Sequence, residues 1–331
     1  MAVLSMITKN SVEKVGRVFG DVWRSSLQVP YDVIILVDDS DTDKTRGFVK
    51  RFADEHGKEV IIERSRLYGG WHKPTRATAR QTAVDVFLQN TSDEWLFFLD
   101  DDCVLNPGWW RWVEENKALE DSSVGEVWGI NWDATSERKD FLEKFRIDLG
   151  RYLIQKFEER GGTHDTLYRR AALQGVKIPP ELHVYEDAWL HFWIKCRGWR
   201  YVVNPVGVTH FHPTPPFADL RREMEKLRLA IAVANRYGIT EYRELRDGRW
   251  LSRRFLAYLY MLRPIAGFLP MAAVTTRLYG LRAGLAEAAK RQYLKLWFRW
   301  QVMKHVKWPL PDTCDAVMSA TLKNLPQLRN G

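Results

Sequence analysis

Glu94-Trp95-Leu96-Phe97-Phe98-Leu99-Asp100-Asp101-Asp102-Cys103 decides how the rest of the chain is read. Trp95 to Leu99 are five large apolar residues in a row, which describes a strand covered on both faces, as in a sheet flanked by helices. Three carboxylates then follow without a break. Adjacent like charges repel, and the carboxyl end of a parallel strand is where open α/β sheets place their ligands. A divalent cation would supply the missing positive charge, and hard oxygen donors suit Mg2+ or Mn2+. Alone, the triplet fits a solvated acidic loop equally well, so its surroundings have to arbitrate.

Upstream, Ala2 to Thr8 reads as a first strand. Asn10 and Glu13 make a capping-box pattern ahead of Val12, Val15, Phe19, Val22 and Trp23 at helical spacing. Asp32 to Val37 is a second buried strand that also runs into acids, Asp38-Asp39-Ser40-Asp41-Thr42-Asp43. Phe48, Val49 and Phe52 mark a helix closed by Gly57, and Val60 to Ile62 is a third strand. Tyr68 to Pro74 forms a loop whose proline starts a helix through Ala77, Ala83, Val86 and Phe87. Downstream of the triplet, Asn106-Pro107 opens a helix carrying Trp109, Trp110 and Val113, and Val124 to Asn131 is a fifth strand. This alternation predicts an α/β fold, a mostly parallel sheet with helices on both faces and both acid clusters on one edge. An amphipathic helix follows over Glu137 to Arg160, and Glu186-Asp187 head another that Gly198 stops. Trp199 to Val203 is a strand. His210 and His212, two apart in an extended segment, point to one side.

The 331 residues suffice for one large α/β domain with an appendage, and their charge is unevenly placed. From Pro215 onward there are 21 Lys and Arg against 9 Asp and Glu, whereas residues 1–214 carry 29 against 33. A slightly acidic front and a basic rear argue for two jobs. The run Pro213 to Pro216 marks the boundary between a front domain over 1–214, itself in two parts of about 1–131 and 132–214, and a helical basic region over 215–331. Met1 to Ile7 has neither the basic leader nor the apolar length of a signal peptide. Cys103, Cys196 and Cys314 form no close-spaced pair, so neither a disulfide framework nor a zinc site is expected and the default compartment is the reducing cytoplasm. In the rear half Leu220 to Tyr237 is a charged amphipathic helix. Arg253 to Leu262 and Ile265 to Val274 are apolar, but Arg263, Pro264 and Pro270 keep them short of the roughly 18 residues a spanning helix needs. Arg291 to Trp308 interleaves tryptophans with Lys and Arg. That mixture fits helices in the headgroup layer of an anionic membrane at the inner face of the cell. It fits equally a helical subdomain with a basic outside; nucleic acid is not expected as a partner, because no recognised module appears.

Taken in order, these residues resemble the family 2 glycosyltransferases of the GT-A fold over roughly the first 215 positions. The matches are Thr8-Lys9-Asn10, Val37-Asp38-Asp39-Ser40, Ala79-Arg80, Leu99-Asp100-Asp101-Asp102 as a DxD element, Glu186-Asp187, and Gly198-Trp199-Arg200-Tyr201 through Pro205 to His210. The resemblance implies metal-dependent transfer of a sugar from a UDP-, GDP- or dTDP-sugar to a glycan, lipid-linked or other hydroxyl acceptor. It makes Asp102 the first metal ligand, places Asp100 at the ribose or at the metal through water with Asp101 beside it, and offers His210, or His212 in its stead, as a further ligand. Asp39 is assigned to the nucleobase, Thr8 to the same rim, and Arg80 or Lys73 to the diphosphate. Asp187 is the implied base, oriented by Glu186, and a single base implies inversion. The pattern departs at Cys103, where an acid is common, and at Gln81, where Asn is common. Each assignment has a plainer counterpart: Asp187 as a helix cap, Arg80 as a solvated helix residue, His210 as a strand-end histidine, Asp38 as a turn former. A nucleotidyltransferase or a phospho-accepting signalling module would share the sheet, although a receiver has no use for Glu186-Asp187 or His210.

Overall fold

Apolar strands too short to span a domain alone assemble here side by side. In the computed structural model, which describes residues 1–133, 151, 154, 158, 160–211, 220–242, 245 and 264–324, β1 (Ala2–Thr8), β2 (Tyr31–Asp38), β3 (Glu59–Glu63), β4 (Trp95–Leu99), β5 (Cys103–Leu105), β6 (Val124–Asp133), β7 (Asp165–Arg169) and β8 (Arg200–His210) form one eight-stranded sheet ordered β3-β2-β1-β4-β7-β6-β8-β5. The pairs β1–β2, β1–β4, β2–β3 and β6–β8 are parallel, and β4–β7, β6–β7 and β5–β8 antiparallel. The expected α/β architecture is present. Two strands escaped the sequence reading: β5 has three residues, and β7 sits between β4 and β6 with alternate positions Thr166 and Tyr168 too polar for an apolar run.

Helices cover both faces. Alternate strand residues, Leu4 and Met6, Ile34 and Leu36, Phe97 and Leu99, pack with Phe19, Trp23, Val49 and Phe52 from α2 (Arg17–Ser26) and α3 (Lys44–Glu55), and with Trp109 of the short α5 (Trp109–Glu115). The other face meets α4 (Arg76–Asn90) against β1 and β2, and α7 (Glu186–Cys196) against β6 and β8. The remaining short helices are α1 (Ser11–Val15) and α6 (Arg170–Leu173).

Three expected helix starts differ in detail. Asn10 makes no side-chain cap; it adopts a left-handed conformation, φ 58°, because its amide side chain is clasped to Asp41 instead. Helix α4 begins after Pro74, with Thr75 as N-cap and a reciprocal Thr75–Thr78 capping box. Asn106 does not cap α5 but holds the β5–β8 seam, donating to the Val206 carbonyl at 2.8 Å and accepting from Thr209 Oγ1 at 2.7 Å. The helix expected over Glu137 to Arg160, apart from 151, 154, 158 and 160, the Arg253 to Leu262 segment and His212 lie outside the described residues. Cys103 is free and buried.

The chain divides into two compact units, Met1–Pro213 with Val317–Gly331, and Thr214–Ala316. The second contains α8 (Leu220–Tyr237), α9 (Phe268–Tyr279) and α10 (Leu281–His305), and α11 (Thr313–Asn324) follows. Ile231, Ala234, Leu245, Phe298 and Val302 form its small core. Helices α9 and α10 turn back on each other at Gly280, φ 80°, and touch where Gly284 faces the Thr275–Thr276 backbone. Among the described residues no helix is long and apolar enough to cross a membrane.

Candidate active site

The carboxyl ends of β1 and β2 are tied into one rim. Asp38 is buried and accepts from Thr8 Oγ1 at 2.7 Å and from the Ser40 amide at 3.2 Å, with Arg46 Nε 3.0 Å from its other oxygen. This is the Asx-turn role expected of it. Asp39 donates its amide to the Thr8 carbonyl at 3.0 Å, and its half-buried carboxylate accepts from Ser65 N at 3.0 Å and Ser65 Oγ at 2.5 Å. The Asn10 amide donates to Ser40 Oγ at 2.6 Å, and the Ser11 hydroxyl donates to Asp101. Hydrogen bonds therefore run from the first acid cluster to the second.

The three aspartates at the end of β4 live in three different environments. Asp100 meets Arg80 of α4, whose guanidinium is 2 % exposed and stacks over Phe98 at 4.7 Å. Burial alone would raise the Asp100 pKa, but the charge and hydrogen bond of Arg80 outweigh it and hold it below the ordinary value. Asp101 has no such partner. Burial and then the neighbouring Asp102 push it up to about 6, against the Ser11 hydrogen bond. Asp102 points toward β8, with His210 Nε2 at 3.1 Å from its Oδ2.

Asp102, Cys103 and His210 bring one ligand atom each within 4.8 Å of one another. The antiparallel β5–β8 pairing sets Cys103 opposite His210. Two ligands about 2.1 Å from an octahedral cation at right angles would stand about 3 Å apart, so the Asp102–His210 pair fits a divalent metal as it stands. The thiol fits less well, because burial and the surrounding carboxylates raise its pKa well above the usual value and its S–H faces Asp102 Oδ1 at 3.5 Å. Nitrogen in the donor set favours Mn2+ over Mg2+. Asn131 Nδ2 lies 2.9 Å from His210 Nδ1. With the amide this way round Nε2 carries the proton that faces Asp102; turned over, the amide oxygen would accept from Nδ1 and free Nε2 for a cation.

The second acid pair begins α7, where Tyr185 occupies the N-cap position without a side-chain cap. Asp187 is therefore not the cap residue; one oxygen accepts from the Ala188 amide at 2.8 Å and the other lies 3.5 Å from Arg160 Nη2. Glu186 is 3 % exposed and its Oε2 has no hydrogen-bond partner. Burial, then repulsion by Asp187, raise it to about 7, while Arg76 and Arg80 pull the other way. The same two arginines also act on Asp100, and Arg76 acts on Asp101. The start of α7 and the end of β4 thus share one electrostatic neighbourhood.

The structure brings Asp100, Asp101, Asp102, His210, Arg80, Glu186 and Asp187 to this neighbourhood, and Thr8 and Asp39 to the adjoining rim. Lys73 is exposed in the loop before α4. Arg80 is not a solvated helix residue but a buried partner of Asp100, with Nε and Nη1 left without hydrogen bonds. Sequence reasoning missed Arg76, which stands one helical turn before Arg80 on the same face; that spacing was the available signal. It also missed His164 and Asp165, both buried where β7 begins. The His164 carbonyl accepts from the Asp100 amide at 3.0 Å, and its ring Nε2 lies 3.0 Å from the Gly129 carbonyl and 3.1 Å from Asp165 Oδ1. Burial lowers His164 to about 4 and drives Asp165 well upward despite the 2.7 Å hydrogen bond from Trp109 Nε1. No spacing rule would have found this pair.

A family model described as "Glycosyl transferase family 2" matches residues 5–176. Among solved structures, the mannosyltransferase PcManGT from Pyrobaculum calidifontis, in complex with GDP-Man and Mn2+, is similar at 20 % identity over 98 % of this chain and 86 % of that one, with a TM-score of 0.50. Glucosyl-3-phosphoglycerate synthase from Mycobacterium tuberculosis, in complex with Mn2+, UDP and phosphoglyceric acid, follows at 15 % identity, covering 71 % of this chain and 78 % of that one, TM-score 0.46. S. aureus TarS 1–349 covers 93 % and 92 % at 15 % identity, TM-score 0.47. No curated protein matches the chain.

Proposed function

The chain belongs to glycosyl transferase family 2 and has the GT-A fold, and from that premise we propose that it is a Mn2+-dependent, inverting hexosyltransferase that moves a sugar from a nucleoside-diphosphate sugar to a hydroxyl or lipid-phosphate acceptor. The observation that carries this reading is the shared neighbourhood of two acid groups, one at the end of β4 and one at the start of α7, with Arg76 and Arg80 acting on both.

Asp102 and His210 would hold the metal, with Asp100 held as a carboxylate beside them by Arg80. When bound, the cation acts as a Lewis acid on the diphosphate leaving group and orients it. Arg76, exposed at the start of α4, adds positive charge toward the same oxygens. The rim of Thr8 and Asp39 receives the nucleoside, Asp39 presenting the carboxylate that Ser65 orients; Lys73 approaches from its loop. Asp187 takes the proton from the acceptor hydroxyl as it attacks the anomeric carbon. Arg160 aims that carboxylate, and Glu186 orients the acceptor from behind. One base and one displacement give inverted configuration.

Two substitutions test the division of labour. Asp187→Ala is expected to cut turnover by about 10²–10⁴-fold while donor binding with Mn2+ persists in calorimetry; full turnover in this variant would remove the base assignment. Asp102→Ala is expected to abolish both transfer and the Mn2+-dependent part of donor binding. A thermal-shift screen of UDP-, GDP- and dTDP-sugars with and without Mn2+ identifies the donor, and stabilisation by none of them would overturn the proposal.

A further inference from the structure

The second unit leaves a helix face bare that ordinary packing would cover. From Pro264 to Thr276 the sequence has no charged residue, yet much of it is solvent-facing. Leu269 is 74 % exposed and Ile265 59 %. Ala273 and Arg277 continue the four-residue spacing, and both are exposed as well, so the open side of α9 is an apolar stripe that ends in a cation. Across the turn at Gly280, Leu281 is 70 % and Leu285 40 % exposed. Inside the hairpin, by contrast, the two helices are in close contact: Gly284 abuts the Thr276 backbone and Thr275 Oγ1 donates to the Gly284 carbonyl at 2.6 Å. The leucines therefore lie outside the contact between the two helices, and exposed apolar surface of this kind marks an interaction site.

Charge selects the partner. Between residues 248 and 311 the chain has twelve Lys and Arg and one acid, Glu287. Arg277 and Arg282, both exposed, flank the turn beside Leu281. A protein partner or a second copy would need an acidic, apolar face to match, and a second copy would set these cations against their own kind. A nucleic acid would use the cations but leave the leucines in water. An anionic phospholipid bilayer uses both. Its headgroups meet the arginines and its acyl boundary takes the apolar side chains, the arrangement of a helix lying in the interface without crossing it.

We propose that the α9–α10 hairpin is a monotopic membrane-docking element, with Ile265, Leu269, Leu281 and Leu285 entering the acyl boundary of an anionic bilayer and Arg277 and Arg282 meeting its headgroups. The proposal does not depend on the catalytic reading, since it concerns a surface of the second unit alone. Flotation of the full chain with phosphatidylcholine vesicles, with and without phosphatidylglycerol, tests it. The wild type is expected to float with the anionic vesicles, less so in high salt. Leu269→Glu with Leu281→Glu should reduce flotation at least tenfold, and Arg277→Glu with Arg282→Glu should remove the preference for phosphatidylglycerol. Because all four side chains are exposed, melting temperatures are expected to stay unchanged; should the glutamates unfold the hairpin, Leu269→Ser with Leu281→Ser gives the same readout. Failure of the wild type to float, flotation of the leucine variants at wild-type level, or a solution dimer that the leucine substitutions dissociate would each overturn the proposal.

Discussion

Glu186 is a carboxyl that this protein keeps dry and short of partners. Its pKa is raised to about 7, by burial first and by Asp187 second. A carboxyl whose folded pKa exceeds its unfolded one favours the folded state while protonated; that contribution is full below about 4.5 and is lost as pH rises through about 7. Glu186→Gln, which keeps the neutral shape at all pH, should therefore melt near the wild type at pH 5 and higher than it at pH 8, by on the order of 3 kcal/mol at most. A gap that does not widen between those two pH values would show that Glu186 is not the group responsible. At this scale the sequence was informative where charge stands against expectation. Asp100 to Asp102 after an apolar strand and Glu186-Asp187 before an amphipathic helix could be picked out because carboxylates in such places need a reason. Asn131, His164 and Asp165 could not, because their importance comes from neighbours far away in the chain: Asn131 matters only once β8 delivers His210 beside it.

His210 reaches the site through a deformation of two strands. Between Gly129 and Asn131 on β6 the partner register on β8 jumps from Asn204 to Val208, so the segment 205–207 bulges out. Gly207 makes this possible: its φ is 55°, and a Cβ there would stand 1.8 Å from the Ile130 carbonyl oxygen. Gly207→Ala is expected to cost about 3–5 kcal/mol, through a backbone clash added to left-handed strain. Gly16 supplies the control. Its φ of 62° is equally unusual, but an added Cβ meets nothing within 4 Å, so Gly16→Ala should cost only the backbone strain, about 1–3 kcal/mol. Urea midpoints compare the two, and equal losses would show that the close approach at Gly207 is not what fixes the bulge. Strands β1, β2, β3, β4 and β6 were legible as apolar runs because burial on both faces selects such runs. Strand β8 was legible only in its first half; Pro205 and Gly207 broke the pattern at the bulge.

For the whole molecule, composition foresaw an acidic front and a basic rear, but charge balance alone left two readings of the latter open, helices lying on a membrane and a helical subdomain with a basic outside. Surface placement is what bears on that choice, since a tally of leucines says nothing about which ones face out. The docking of α9–α10 is thus a question about the second unit, and the acid clusters a question about the first. The sheet of that first unit has a property that the order of its strands imposes. Strand β4 is buried at every position and its far edge is closed by β7, so a growing polypeptide releases Leu99 from the ribosome long before the Asp165–Arg169 segment that must zip onto it exists. Until then the nascent sheet offers an uncapped apolar margin to any other chain. A fragment ending at Asp133 should accordingly sediment as aggregates where the full chain stays dispersed, and cells making this protein should need a chaperone's shelter during that interval of translation; a monomeric 1–133 fragment would show that the margin protects itself.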